Sequence, residues 1–571
     1  MRFHSTHYVG LALLAAGFTA FIEPALAQEK TPITEQVDVI RQYKPVLGDA
    51  VKIKKSPAFF DDNTQAAPLK YSFKNLRLLK DTARNNISAD SLRSTDSLTT
   101  PFMYLKAGGG NLSTALGEIY LNSRPTKDGY YGGFFKHLSQ QGKLANQQFF
   151  SEQAQIFGKK IFAKNFLEAA LQADERQNFF YGYDHSVTSY AKAQARQHLL
   201  NIGATLDFGS NADSTAPVVY GLKAHGNNFS DHYSNKENLY ELSGMLAYNI
   251  GTFAFNLSSA VSYNKLTLNN GQNFNTSVFR AEPYITLQNK LFRAKAGLNI
   301  IDQSGNAKKF LLFPDLSLDL LLSYGFNLYG GLKGDVIQNT YQKLTEQNPW
   351  TMGTVQAAVP AAPGSPSLSF ANNLALKNTK QTVDFFAGIK GAFSPELNYR
   401  AQVETGLYDN LYFFVNSPLD TRYFIPAYAG DKTTKEEFYA ELNYLAASKL
   451  RININLDYVD FRLKAISNAW HTPKLKSGIW LKYNPSSQWM IHGSLYYTGT
   501  QKAETYNTAN STTGVQTLSA FTDISLGAEY RITRKVSVFI NGNNLLNKKY
   551  QNFLNYPVLG LNAVGGVTIS L

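Results

Sequence analysis

The chain of 571 residues contains no cysteine, so no disulfide framework and no thiolate metal or redox centre can hold it together. It also lacks long hydrophobic runs. No stretch approaches the 18 or so consecutive apolar residues of a membrane-spanning helix. Tryptophan (4) and methionine (5) are scarce, whereas tyrosine (34) and phenylalanine (38) are abundant. Aromatic residues mixed with much Asn, Ser, Thr and Gly suit strands and turns better than helices. No nucleophile elbow, phosphate loop or zinc-helix motif is present, and no cofactor is implied. A catalytic function is not expected. The net charge of +13 comes from 55 basic and 42 acidic residues. Because the basic residues are scattered rather than gathered into a stripe, nucleic acid is not an expected partner. Anionic lipid headgroups and anionic solutes fit better.

Residues 1–27 read as an export signal. Arg2, His4 and His7 open it, residues 9–22 are apolar, and Ala25-Leu26-Ala27 form a small-residue cleavage site before Gln28. Residues 28–100 are polar and aperiodic, punctuated by Pro32, Pro45 and Pro57, and are expected to form a short irregular N-terminal periplasmic arm. From Pro101 to Leu571 period-two alternation takes over.

The alternation is cleanest where Leu450, Ile452, Ile454, Leu456 and Tyr458 interleave with Arg451, Asn453, Asn455 and Asp457. It recurs where Ile524, Leu526, Ala528 and Tyr530 interleave with Asp523, Ser525, Gly527 and Glu529, and where Phe292, Ala294, Ala296 and Leu298 flank Arg293, Lys295 and Gly297. Short connections, such as Asn249-Ile250-Gly251, Ser394-Pro395 and Thr533-Arg534, alternate with long polar ones at 339–380, 417–434, 467–473 and 499–516. Short turns on one side and long loops on the other are the rhythm of an up-and-down transmembrane barrel. Counting on that rhythm predicts an all-β fold, a transmembrane antiparallel barrel of about 22 strands with both ends on the periplasmic side. A basic side chain facing mid-bilayer lipid costs about 2–4 kcal/mol. Arg293, Lys295, Arg451, Asn453, Asn455, Asp523 and Glu529 are therefore expected to face the lumen. Tyr444, Tyr458, Tyr483, Trp489, Tyr497 and Tyr530 suit interfacial girdles.

Near the C-terminus, Asn544-Leu545-Leu546-Asn547-Lys548-Lys549-Tyr550, then Tyr556-Pro557-Val558-Leu559-Gly560 and a glycine-led last strand, resemble the end of TonB-dependent receptor barrels. The resemblance implies an outer-membrane protein of a Gram-negative cell, built with the help of the barrel assembly machinery, surrounded by outer-membrane lipid and acting in solute transport. It departs from the family pattern at Leu561 and Leu571, where an arginine and an aromatic residue are usual. Residues 28–100 are also too few for the family's globular plug, so a relative without a full plug is expected. In such receptors a short strand after the signal pairs with TonB by edge addition, and Val37-Asp38-Val39-Ile40 occupies the corresponding place. A scaffold for other envelope proteins and a passive porin remain alternatives. Two further features stand open: the long segment 339–380, which can fold inward as a constriction or outward as a contact surface, and His225, Asp231 and His232, placed in an external loop as potential metal ligands or as solvated residues.

Overall fold

The computed structural model describes residues 101–571, except 212–215, 306–308, 324, 360–367, 447–448 and 508–511. The expectations for the signal peptide, the arm, the missing plug and Val37–Ile40 fall outside the described residues.

Twenty-two strands form one sheet, each antiparallel to its neighbours along the chain. The first strand, Met103–Gly110, pairs with the last, Asn562–Ser570, from Tyr104 opposite Ser570 to Gly110 opposite Val564. The sheet therefore closes into a barrel with no free edge, and every strand finds its backbone partners within it. Glycine is required at that seam: a Cβ on Gly566 would lie 2.0 Å from the Ala107 carbonyl oxygen.

Period two in the sequence becomes two faces in space. On Lys309–Ser323, the residues Leu312, Leu316, Leu318 and Leu322 are exposed, Leu318 by 43%. Asp315, Ser317 and Asp319 lie on the other face of the strand. Exposed apolar side chains recur in this way around the cylinder, far beyond the patch a soluble monomer normally shows. Water on that face would be costly, and lipid is the matching solvent.

One rim carries only brief turns, such as the two residues between Ile250 and Phe253 or between Ser394 and Leu397. The opposite rim carries the long connections. These contain two short helices, Lys192–Ala195 and Tyr341–Gln347, and four small hairpins: Thr354–Val359 with Leu368–Asn373, Tyr412–Asn416 with Phe424–Tyr428, Gln501–Asn507 with Thr512–Leu518, and Gln551–Phe553 with Tyr556–Pro557. Tyr444, Tyr483, Trp489 and Tyr530 sit at the turn ends of their strands, and Trp489 and Tyr530 are cross-strand partners with rings 4.8 Å apart. Tyr458 and Tyr497 lie toward the loop ends. Together they mark two aromatic levels.

One local expectation needs correction. His225 stands in the strand Val218–Asp231 rather than in a loop. Its alternating apolar neighbours Val218, Tyr220 and Leu222 carry the strand through the polar residues at its end.

Candidate functional site

The long connections converge on the inner wall of the barrel and build a second core against it. That core joins Leu199, Phe229 and Leu266 from the strands to Phe180, Tyr181, Tyr341, Trp350, Phe424 and Tyr556 from the connections.

The connection 338–378 is held to the inner wall by its helix. Thr340 caps its helix by accepting from the Lys343 amide (3.1 Å). The first two helix amides, which have no partner within the helix, are met by the buried carboxylate of Glu237. Its Oε1 accepts from the Tyr341 amide (2.8 Å) and from Asn264 Nδ2 (2.8 Å), and its Oε2 accepts from the Gln342 amide (2.8 Å). A carboxylate receiving charge-assisted bonds at the start of a helix offsets part of its desolvation. Tyr341 is fully buried, its ring 5.6 Å from Phe229 and its hydroxyl donating to Asp231 Oδ2 (2.8 Å). Asp231 also accepts from the Tyr233 and Asn235 amides and from Asn235 Nδ2. Two carboxylates at the loop ends of neighbouring strands thus pin the helix to the wall. Of the two foldings open to segment 339–380, the helical part takes the inward one.

Trp350 is the next anchor. Its indole Nε1 donates to the Phe179 carbonyl (3.0 Å), and its ring stacks on Tyr556 at 3.9 Å. Backbone bonds then tie this connection to 410–432: Phe424 N to Trp350 O (3.0 Å) and Met352 N to Phe424 O (3.1 Å). Phe180 meets Tyr423 edge-on at 4.6 Å, and Tyr181 meets Tyr556 at 4.9 Å. Arg422 forks onto Asp420 and lies 3.7 Å over the Tyr190 ring. His471, from 463–474, joins two further connections. Leu554 N must donate to its Nε2 (3.2 Å), which leaves the proton on Nδ1, donated to the Phe414 carbonyl (2.8 Å). Burial pushes this imidazole down to about 4, because a charged ring there would lose its hydration.

The C-terminal motif is the frame of the last connection. Asn544 Nδ2 donates to the Lys548 and Leu559 carbonyls (2.7 and 2.9 Å), and Asn547 Oδ1 accepts from Leu561 N (2.9 Å). Leu545 and Leu546 are exposed. A Cβ on Gly560 would meet Asn547 Oδ1 at 2.5 Å. Tyr550 stacks on Phe521 at 3.7 Å and donates to Asp523 Oδ2 (2.6 Å). Tyr556 donates to the Arg422 carbonyl, and the Pro557 carbonyl accepts from Gln147 and Tyr181.

The remaining residues singled out in the sequence are spread over the strands. Lys295 is paired with Glu282 (2.6 Å) and with Asp315. Arg293 shares its face of the strand and is opposite Asp319 in register. Arg451 is opposite Lys482, and Asn455 is opposite Glu441 on one side and Gly478 on the other. Asn453 donates to Glu441 (3.1 Å) and Asn443. Glu529 accepts from the Thr568 hydroxyl (3.3 Å). Asp231 is committed to Tyr341 and Asn235, while His225 bonds to Thr205 (3.0 Å). Among the described residues no three His, Asp or Glu side chains converge as metal ligands.

Sequence reasoning missed the cap: Glu237, Tyr341, Trp350, Phe424 and His471 were not singled out. One signal was available. Tyr412-Phe413-Phe414 and Tyr423-Phe424 crowd aromatic residues into connections that a merely solvated loop would not need.

A closed barrel of 22 antiparallel strands, apolar outside and carrying at one end a core built by its own connections, is the class of protein that the fold defines. Solved structures of similar fold are outer-membrane receptors. The siderophore receptor PirA from Acinetobacter baumannii aligns with a TM-score of 0.63 at 12% identity, over 82% of this chain and 80% of that one. The pyoverdine receptor FpvA from Pseudomonas aeruginosa, bound to pyoverdine, gives 0.61 at 12% over 83% and 79%. A variant of the ferric enterobactin receptor PfeA from Pseudomonas aeruginosa gives 0.59 at 14% over 82% and 80%. At such identities the likeness is one of fold. No protein-family profile matches the chain, and no curated protein matches its sequence.

Proposed function

We propose that the chain is an outer-membrane transport barrel related to TonB-dependent receptors, with the loop rim outside the cell and the turn rim in the periplasm. Its solute path is gated at the outer mouth by the interlocked connections. The observation that carries this is the inward helix Tyr341–Gln347, held by Glu237 and Asp231 and locked through Trp350 to Tyr556. A cylinder of 22 strands is wide enough to need closing, and structural neighbours named as siderophore receptors support a cargo larger than a simple ion. Arg293, Lys295, Arg451, Asn453, Asn455, Asp523 and Glu529 line the polar lumen in this reading. Export relies on residues 1–27, and Val37-Asp38-Val39-Ile40 offers TonB an edge for strand addition. The role is transport rather than catalysis.

Single-channel recording in planar bilayers tests it. The full mature chain is expected to be closed or nearly so, and replacing 340–378 by a short linker opens a steady conductance. An equally open pore in both forms refutes the gate. A second reading, a scaffold for other envelope proteins, draws on the same apolar interlock. It predicts silence in both forms, even after residues 28–100 are also removed, and co-purification of a partner from detergent extracts.

A further inference from the structure

Away from the cap, at the opposite rim, the turn Asn484-Pro485-Ser486-Ser487 and the strands on either side enclose a cavity of about 300 Å³, the lower end of the size range for small-molecule sites. Its wall carries Lys482 and Arg531, with Ser486, Ser487 and Trp489 beside them. The turn is braced against the next strand by Arg531 N donating to the Gln488 carbonyl (2.8 Å). That strand leads into a second turn bearing exposed Arg534 and Lys535. None of these four cations makes an ion pair among the described residues. One carboxylate, Glu529, lines the cavity, and it is engaged by Thr568 Oγ1 (3.3 Å).

We propose that this cavity is a phosphate-binding site of the turn rim. A phosphate group supplies several acceptor oxygens. Arg531 is suited to fork onto two of them, Lys482 to add a point charge and the serine hydroxyls to donate. Positive charge gathered at these strand ends and in the second turn, with Arg451 beside Lys482 and Glu529 the one carboxylate in the cavity wall, costs self-repulsion unless an anion answers it. Two sources share this chemistry. One is the headgroup of an anionic phospholipid, since Trp489 and Tyr530 mark the lipid interface on the adjoining outer face. The other is a soluble phosphate or phosphate ester at the mouth of the lumen.

The full chain in neutral detergent serves for the test, with phosphatidylglycerol or phosphatidylcholine added and bound lipid read by native mass spectrometry. Calorimetry with inorganic phosphate runs alongside. A preference of about fivefold or more for phosphatidylglycerol, abolished in the double variant Lys482→Gln/Arg531→Gln and kept in Lys482→Arg, supports the site and assigns it to lipid. Phosphate binding lost in the same double variant, without a lipid preference, supports the site and assigns it to a soluble ester. Failure of both probes to bind overturns the proposal. So does a preference that survives the double variant, because a generally basic rim then explains it. Heat-modifiable mobility in gels verifies that each variant keeps its closed barrel.

Discussion

Replacing Trp350 with alanine removes the side chain on which three connections meet. The ring is 3% exposed, stacked on Tyr556 and edge-on to Tyr181 and Phe553. Truncating a buried tryptophan costs about 3–5 kcal/mol, and the Phe179 carbonyl loses its donor for about 1 kcal/mol or more. Taking ~4 kcal/mol as the net shift, the closed cap loses about a thousandfold in population against opened forms. The barrel itself is expected to survive, since Trp350 lies outside all 22 strands of the sheet. Limited proteolysis should then cut within 338–378 under conditions where the native chain resists. Bilayer recordings should show long openings, while gel mobility without heating remains that of a folded barrel. Trp350→Phe keeps an aromatic ring at the stack while losing the donor and part of the buried ring, so its effect should be smaller than that of alanine. If the alanine variant resists protease and stays silent like the native chain, the cap is not held in the way described.

Acid should loosen the same cap. His471 has its pKa depressed from 6.5 to about 4 by burial, so between these values the unfolded connections bind a proton that the packed cap refuses. Stability is fully present above about pH 6.5 and falls as the pH drops toward 4, by about 3 kcal/mol in all. Hydrogen exchange of 463–474 and 544–561 across that range measures it, and His471→Gln should flatten the profile; an unchanged slope in that variant would sink the assignment. The two faces of the wall can be told apart on one strand. Leu318→Arg should cost about 2–4 kcal/mol in urea titrations of the protein folded into vesicles, and Ser317→Arg much less. Equal penalties would contradict the assignment of the apolar face to lipid.

The strands were legible because membrane barrels write their faces into nearest-neighbour sequence. In Leu450–Arg462 the apolar residues Leu450, Ile452, Ile454, Leu456 and Tyr458 are separated by single polar ones, and hydrocarbon outside tolerates few exceptions. The rims were legible as well, since Ser394-Pro395 and the stretch 339–380 differ in length by an order of magnitude. His225 was misplaced for a related reason: a polar strand end and a polar loop look alike when burial is unknown. The Asn544–Tyr550 and Tyr556–Gly560 residue types were visible too, but their bonds to Gln147, Tyr181, Arg422 and Asp523 were not.

By itself, then, the amino-acid order determined how many times the chain crosses, which residues share a face and which rim holds the loops, because each of these follows from spacing along a few consecutive residues and from the solvent on either side. Only the folded chain decided that the loops turn inward and lock. Glu237 reaches the Tyr341 amide, Trp350 reaches Tyr556 and His471 reaches Leu554 across long intervals of chain. Such meetings depend on how the closed cylinder brings distant strand ends within reach of one another, and no local periodicity encodes that distance.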